Sequence, residues 1–378
     1  MGRNDAQVSD AFLDPMILLY DPALDMRFPD YGIQIPIRDR RALAVLEYLK
    51  KKIIPPMRPV HSLASAADML SIPEGDRHIS REDIARAHDA NFVAALFGEG
   101  LEKELIKTYE LMDEQGRFRR YSPGDAVRPL SELFTTIRAQ VWGTYLACRL
   151  ALAHRSKPSG VSSEPLSTNN SNPGFCYYLG GGMHHARYDS GAGFCLLNDI
   201  IIAARRLKAE GLISSIWIID LDAHKGDGTA ELASGDPCIL TLSIHMALGW
   251  PLDPETLAHA VPSRAPLVAS DVDIPVSKED QASYVSRLAS GLLQLEMLSG
   301  GKKPDLAIVV DGADPYEKDE LPSSVDLQLP LDTCVKRDMT VFSFLRDRAI
   351  PSTWLLAGGY GDYAWEPPAH FLTKVLTP

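Results

Sequence analysis

Short runs of apolar residues are the feature that most constrains how this chain can fold. Several of these runs lack the alternation of polar and apolar residues that a strand with one solvent-exposed face requires. Continuous apolar strands are typical of a parallel sheet that is covered by helices on both faces. The sequence predicts strands at residues 16–20, 175–179, 216–220, 239–244, 306–310 and 353–356.

Longer segments with apolar residues at helical spacing separate these runs. They predict helices at residues 38–52, 81–97, 133–153, 198–210, 278–298 and 331–348. Strands that alternate with helices indicate an α/β fold, and we expect a single domain that spans residues 1–378. Residues 156–173 are rich in Ser, Pro and Asn and predict a flexible surface loop within that domain.

Composition narrows the classes of partner. The formal net charge of −12 argues against direct nucleic-acid binding, which depends on Lys and Arg, whereas a lysine-rich peptide would be attracted. The five cysteines include no Cys-x-x-Cys pair, so we expect neither a disulfide framework nor a structural zinc knuckle. With no apolar run of about 18 residues and no signal peptide, we expect a cytoplasmic protein without membrane association, with nuclear residence and delivery into a host as alternatives.

Metal-binding residue types cluster after the predicted strand at 216–220. Asp222 and His224 follow that strand, and ligands bind at the carboxyl ends of strands in open α/β sheets. Asp311 and Asp314 follow another strand, and either one is a candidate for the third ligand. Nitrogen and oxygen ligands without thiolate fit one catalytic Zn²⁺, and Fe²⁺ could occupy the same set.

Further polar residues could supply acid–base chemistry beside such a metal. His184 and His185 are candidate general bases for a metal-activated water, and Asp220 and Asp227 could orient the two imidazoles. Tyr360 ends an apolar run within a glycine turn and could donate a hydrogen bond to an oxyanion. Together these residues predict a metal-dependent hydrolase.

Five ordered motifs between residues 180 and 361 resemble the signatures of the histone deacetylase family. The chain resembles a bacterial-type member of that family. The motifs are Gly-Gly-Met-His184-His185-Ala, Gly193-Phe194-Cys195-x-x-Asn198-Asp199, Asp220-x-Asp222-x-His224-x-Gly226-Asp227-Gly228, Ala313-Asp314-Pro315 and Gly358-Gly359-Tyr360. The part of the chain before about residue 170 matches the family more loosely.

The resemblance implies the three-layer arginase-deacetylase fold, in which a mainly parallel eight-stranded sheet lies between helices. It also implies zinc-dependent hydrolysis of acetyl-lysine in a protein or peptide such as a histone tail. Carried over by position, Asp222, His224 and Asp314 would bind zinc. His185 would be the general base, His184 would assist electrostatically, and Tyr360 would polarise the amide carbonyl. Asp220 would pair with His184, and Asp227 with His185.

The family also has a structural potassium site and an apolar slot for the substrate. Potassium would be bound by Asp220, Ser243 and the backbone carbonyls of Asp222, His224 and Ile244. In the slot, Gly193 and Phe194 would form one wall and Trp250 the other, with Leu321 at the mouth. An apolar residue at the mouth favours acetyl-lysine over a cationic acetylpolyamine.

Three departures from the family pattern affect the expectations. Lys225 stands where many members have a second histidine, and we expect its charge to face the rim of the site or solvent. Asp311 replaces a residue that is commonly uncharged, so it should need a partner such as an arginine. Residues 31–38 lack the usual Gly-His-Pro element, so the entrance can differ.

Other functions remain open at this stage. An acetylpolyamine or small-molecule amide deacetylase would use the same residues, and a non-catalytic acetyl-group binder is an alternative of another class. An arginase-like enzyme with two manganese ions would need Asp-x-His-x-Asp and Asp-x-Asp, which the spacings around His224 and Asp314 do not match. The physiological substrate, the preferred acyl length and the oligomeric state do not follow from the sequence.

Overall fold

The computed structural model describes residues 16–38, 40–53, 60–153, 173–253 and 267–377. Apart from Pro173, the predicted surface loop at residues 156–173 lies outside these ranges. None of the helices within them is both long and apolar enough to cross a membrane.

Eight strands of the described chain form one sheet, and every pair of neighbours runs parallel. They are β1 (Met16–Leu19), β2 (Val60–His61), β3 (Phe175–Tyr178), β4 (Ile216–Asp220), β5 (Ile239–Met246), β6 (Val272–Val276), β7 (Leu306–Val310) and β8 (Ser352–Leu355). Their order across the sheet is β2-β1-β3-β8-β7-β4-β5-β6. The predicted parallel eight-stranded sheet is confirmed, as are all six strands located from the sequence.

The helices pack on both faces of this sheet. They are α1 (Arg41–Lys52), α2 (Leu63–Met69), α3 (Arg81–Ala85), α4 (Ala90–Leu96), α5 (Leu101–Thr108), α6 (Leu133–Ala153), α7 (Asp199–Ala209), α8 (Asp227–Ala233), α9 (Tyr284–Leu298), α10 (Leu331–Asp347) and α11 (Glu366–Leu376). The strands send alternate side chains into two separate hydrophobic clusters: Cys176 and Tyr178 enter one, and Phe175 and Tyr177 enter the other. This arrangement explains why the strands are apolar along their whole length.

Two helix predictions need correction. The single helix predicted at residues 81–97 is two helices, because the Asp89 side chain accepts hydrogen bonds from the Asn91 and Phe92 amides and begins α4 there. The segment predicted as a helix from residue 278 begins as a 3₁₀ helix, Lys278–Ser283, and becomes α-helical only at Tyr284.

The four central strands determine where the polar motifs meet. β3, β8, β7 and β4 are consecutive neighbours, and each is followed by one of the polar motifs. Parallel strands end on the same edge of the sheet, so motifs that are far apart in sequence converge there.

Candidate metal centre

Asp222, His224 and Asp314 form a buried cluster at this edge of the sheet. Their potential ligand atoms lie within 4.8 Å of one another. His224 Nδ1 is 2.8 Å from Asp314 Oδ2 and 3.2 Å from Asp222 Oδ1, and its Nε2 is 3.1 Å from the Ser323 hydroxyl. The imidazole therefore turns one nitrogen towards the two carboxylates while Ser323 fixes the orientation of the ring.

Gly358 leaves space for the Asp222 carboxylate in this cluster. The Gly358 amide donates to Asp222 Oδ2 at 3.1 Å, and a Cβ atom at position 358 would lie 2.2 Å from the same oxygen. A glycine is thus required where the segment after β8 passes the carboxylate. The donor set and its burial fit a divalent cation with mixed nitrogen and oxygen ligands, as the sequence indicated.

The electrostatics of the cluster also favour a cation. Burial alone would lower the pKa of His224, but the Asp222 and Asp314 carboxylates outweigh it and raise the pKa to about 10. Burial, followed by repulsion from Asp222, raises the pKa of Asp314 to about 7. Negative charge contributes to both pKa shifts, and a divalent cation would neutralise it.

His184 and His185 lie beside this cluster, and each is bonded to a different carboxylate. His184 Nδ1 is 2.7 Å from Asp220 Oδ2, and His185 Nδ1 is 2.8 Å from Asp227 Oδ1. The pairs expected from the resemblance are therefore present. Each carboxylate accepts a hydrogen bond from the Nδ1–H group of its histidine, which directs Nε2 away from that carboxylate.

The two imidazoles have opposite pKa shifts. Burial opposes a charge on His184, but the Asp220 and Asp222 carboxylates prevail and raise its pKa to about 9. Burial, followed by repulsion from His184, lowers the pKa of His185 to about 4. At neutral pH the pair therefore contains one cationic and one neutral imidazole.

Aromatic side chains surround the two histidines and Tyr360. The Phe194 and Tyr360 rings are 6.3 Å apart between centroids, and the Trp250 indole lies 4.5 Å from the His185 ring, edge to face. Gly193, at φ +52°, allows this packing, because a Cβ there would lie 2.4 Å from Trp250 Cη2 and 2.6 Å from His185 Cδ2. Two of the predicted slot residues, Gly193 and Phe194, line a cavity of about 150 Å³.

Most of the side chains predicted to take part in catalysis or metal binding line that cavity. Its lining includes His184, His185, Asp222, His224 and Tyr360, together with Arg41 and Gln140. Leu321, predicted at the mouth, is buried and lies on the loop that Asp319 braces by accepting hydrogen bonds from the Leu321 and Tyr360 amides.

The predicted potassium ligands come from adjacent strands. Asp220 of β4 and Ser243 of β5 are opposite one another in the register of the sheet, and Ile244 follows directly. The Ser243 hydroxyl also lies 3.0 Å from His245 Nδ1. Potassium binding here remains a prediction.

Sequence reasoning assigned no role to two residues that hold the backbone of the site. Asp199 accepts hydrogen bonds from the Gly182 and Met183 amides at 2.9 and 2.6 Å, which fixes the loop before His184. Arg41 donates to the carbonyl oxygens of Leu356, Ala357 and Gly359, and so holds the segment that leads to Tyr360. Asp199 lies within a quoted motif, whereas the sequence around Arg41 contains no such signal.

The structure shows the partners of Lys225 and Asp311, the two charged residues that depart from the family pattern. Lys225 does not face the rim or solvent: it is buried, and its Nζ is 2.5 Å from Asp273 Oδ1 on β6. That expectation was wrong because β6 was not predicted, so no partner was visible. The arginine partner expected for Asp311 is confirmed, since Arg337 Nη2 donates to Asp311 Oδ1 at 2.8 Å.

Known proteins share both the sequence pattern and the fold. A histone deacetylase domain matches residues 36–376. An uncharacterized protein of Picosynechococcus sp. is 32% identical over 58% of this chain and 61% of its own length. Histone deacetylase 2 of Arabidopsis thaliana is 29% identical over 59% of the chain and 49% of its own length. Acetoin utilization protein AcuC of Staphylococcus aureus is 35% identical over 38% of the chain and 36% of its own length.

These three alignments each span less than two thirds of the relative's own length. Among solved structures, an acetylpolyamine aminohydrolase from Burkholderia pseudomallei superposes with a TM-score of 0.61 at 19% identity, over 96% of this chain and 100% of the other. This superposition shows the arginase-deacetylase fold. With the domain match across most of its length, the chain belongs to the histone deacetylase family.

Proposed function

We propose that the protein is a zinc-dependent deacetylase that hydrolyses the acetyl amide of acetyl-lysine in proteins or peptides. The observation that carries this proposal is the convergence of three kinds of group beside one cavity. These are the Asp222, His224 and Asp314 cluster, the two carboxylate-bound histidines and the Tyr360 hydroxyl. A non-catalytic acetyl-group binder would have no need for the complete set.

Asp222, His224 and Asp314 would hold the zinc ion, and Fe²⁺ suits the same ligands. When bound, the ion supplies Lewis acidity towards the amide carbonyl and acidifies the attacking water. The Asp220 and Ser243 side chains, with the backbone carbonyls of Asp222, His224 and Ile244, would bind potassium as a structural cation.

His185 is the proposed general base. Its Nδ1–H group donates a hydrogen bond to Asp227, and burial lowers its pKa so that the imidazole is neutral. Nε2 can therefore take a proton from the attacking water. The same nitrogen then protonates the departing amine. The His184 imidazole stays protonated beside Asp220, and its positive charge stabilises the negative charge that develops in the transition state.

Tyr360 would donate its hydroxyl proton to the substrate carbonyl oxygen. Burial, followed by the nearby Asp314 and Asp222 carboxylates, raises its pKa well above the ordinary value, so the hydroxyl stays protonated. A donor held in place before the reaction costs no reorganisation as the oxyanion forms.

The charges near the slot favour acetyl-lysine in a peptide over an acetylpolyamine. Arg120 lies over the Phe194 ring, 5.2 Å from its centroid, and pairs with Glu110. Glu320, next to Leu321, pairs with Arg38. Glu110 and Glu320, two acidic groups near the slot, are thus each paired with an arginine of the chain. The cavity of about 150 Å³ is smaller than the roughly 300–1,000 Å³ of sites for drug-sized ligands, which suits a short acyl group.

The proposal is tested by assaying zinc-loaded protein on an acetyl-lysine peptide, longer acyl-lysine peptides and an acetylpolyamine. We expect His185→Ala to lower kcat on the acetyl-lysine peptide by about 10²–10⁴-fold, the usual contribution of general acid–base catalysis. The matched control is His370→Ala on α11, where the histidine stacks on Tyr48 outside the site. Equal turnover by wild type and His185→Ala would refute the mechanism, and faster turnover of acetylpolyamine would shift the assignment to that substrate.

A further inference from the structure

Arg337 is a buried arginine in contact with the loops that carry the proposed zinc ligands. It lies on α10, and only 1% of its surface is exposed. Burying a guanidinium costs several kcal/mol unless its donors are satisfied. Its contacts therefore indicate which parts of the structure depend on this charge.

The guanidinium joins the two loops that carry the proposed zinc ligands. Arg337 Nη1 donates to the Leu221 carbonyl at 3.0 Å and to the Gly312 carbonyl at 2.8 Å. Leu221 directly precedes Asp222 in the loop after β4, and Gly312 lies two residues before Asp314 in the loop after β7. One nitrogen atom thus bridges backbone groups adjacent to ligands from two separate strands.

Two carboxylates hold the guanidinium in this position. Arg337 Nη2 donates to Asp311 Oδ1 at 2.8 Å, and Nε donates to Asp338 Oδ1 at 2.6 Å. The second oxygen of Asp311 accepts a hydrogen bond from the Tyr177 hydroxyl at 2.7 Å, which ties β3 to the same group. Asp311 is therefore fixed on both sides.

One buried oxygen without a partner in the described part of the chain limits how much the cluster of Arg337, Asp311 and Asp338 can stabilise the fold. Asp338 Oδ2 is buried and has no hydrogen-bond partner within the described residues. Replacing buried ionic groups with apolar side chains of similar volume is often neutral or stabilising. A role in geometry accounts for the charges better than a role in stability.

We propose that Arg337, held by Asp311, is a positioning residue that sets the spacing between the loop of Asp222 and His224 and the loop of Asp314. This inference rests on the proposed metal-dependent function. A lysine could not replace the arginine, because the planar guanidinium directs several donors at fixed angles, whereas an ammonium is a point charge. Groups that orient metal ligands typically contribute about 10- to 100-fold to metal affinity or activity.

The experiment compares wild type, Arg337→Lys and a matched control, Arg346→Lys. Arg346 lies on the same helix, but its side chain is 46% exposed and pairs with Asp347. Each protein is stripped of metal and titrated with Co²⁺, which reports ligand geometry through its visible absorption. Metal affinity, the absorption spectrum of the cobalt-bound protein, and kcat and KM on the acetyl-lysine peptide are then measured.

We expect Arg337→Lys to bind Co²⁺ about 10- to 100-fold more weakly, or to lose a similar factor in kcat with little change in KM. The spectrum of the cobalt-bound variant should also change in shape, and the control should match wild type throughout. A merely structural role would reduce the folded fraction and leave the spectrum and kcat of each cobalt-bound molecule unchanged. If Arg337→Lys does not fold, metal affinity, the cobalt spectrum and kcat are measured on Asp311→Asn instead. This substitution keeps an acceptor for Arg337 and removes one charge, so the positioning role predicts the same changes.

The two proposals fail in different ways. A wild-type protein that binds no Co²⁺ or lacks deacetylase activity contradicts the proposed function. If wild type has both properties and a folded Arg337→Lys has the same affinity, spectrum and kcat, only the positioning role is overturned.

Discussion

Residues three positions apart after a strand can have entirely different tasks. Asp311 and Asp314 both follow β7, and the residues alone left either one as the third ligand. Asp314 turns towards His224, whereas Asp311 turns towards Tyr177 and Arg337. The direction of a side chain after a strand depends on the path of the loop. The spacing therefore left Asp311 and Asp314 as equal candidates, and the resemblance selected Asp314.

Tyr360 can be tested by removing a single atom. In Tyr360→Phe, the aromatic contact with Phe194 can remain while the oxyanion donor is lost. Removing such a donor costs about 2.7–4 kcal/mol, so we expect kcat to fall about 10²–10³-fold. The zinc content should be unchanged, because Tyr360 is not a proposed ligand.

Steady-state kinetics on the acetyl-lysine peptide provide the measurement for this substitution. Tyr363→Phe is the matched control, since Tyr363 is 46% exposed. A Tyr360→Phe variant with the kcat of wild type would exclude the tyrosine from the reaction.

At the scale of elements, the sequence predicted the central strands and missed strands at the edges of the sheet. β6 alternates buried and exposed residues and contains Pro275, so it lacks the continuous apolar signal of β4 and β7. β2 has only two residues, which is too short for any periodicity. Central strands carry a stronger signal because both of their faces are covered.

The missed strand β6 has a consequence that can be measured. Lys225, directly after His224, is buried against Asp273 of β6, so one ion pair ties the ligand loop to the edge of the sheet. Removing one partner of a buried pair costs about 3–5 kcal/mol. Because the Asp273 side chain is 27% exposed, we expect Lys225→Met to lower the free energy of unfolding by an amount near the lower end, about 3 kcal/mol.

Urea unfolding of the zinc-free proteins measures this effect. Lys225→Met with Asp273→Asn should recover part of the loss, since no unpaired charge is left behind. Lys208→Met is the control: Lys208 is 42% exposed and pairs with Asp236, so its loss should cost at most about 1 kcal/mol. Wild-type stability in Lys225→Met would show that the ion pair contributes nothing.

At the scale of the whole molecule, the fold brings together groups that the sequence holds far apart. Tyr360 is 176 residues from His184 in sequence, by subtraction of their numbers, yet both line one cavity because β3 and β8 are neighbours. Sequence patterns predicted six of the eight strands of the described chain, and the polar residues that follow the central ones. The contacts that hold the site from behind, through Arg41 and Arg337, cross between layers and have no local pattern.

The central claim is that one divalent metal ion, held by Asp222, His224 and Asp314, supports deacetylation. It is tested most directly by stripping the protein of metal and titrating zinc while measuring both bound zinc and turnover of the acetyl-lysine peptide. We predict that activity rises in proportion to bound zinc and saturates at one ion per chain, and that Asp314→Asn neither binds zinc tightly nor turns over. Full activity without zinc, or a requirement for two ions per chain, would contradict the account.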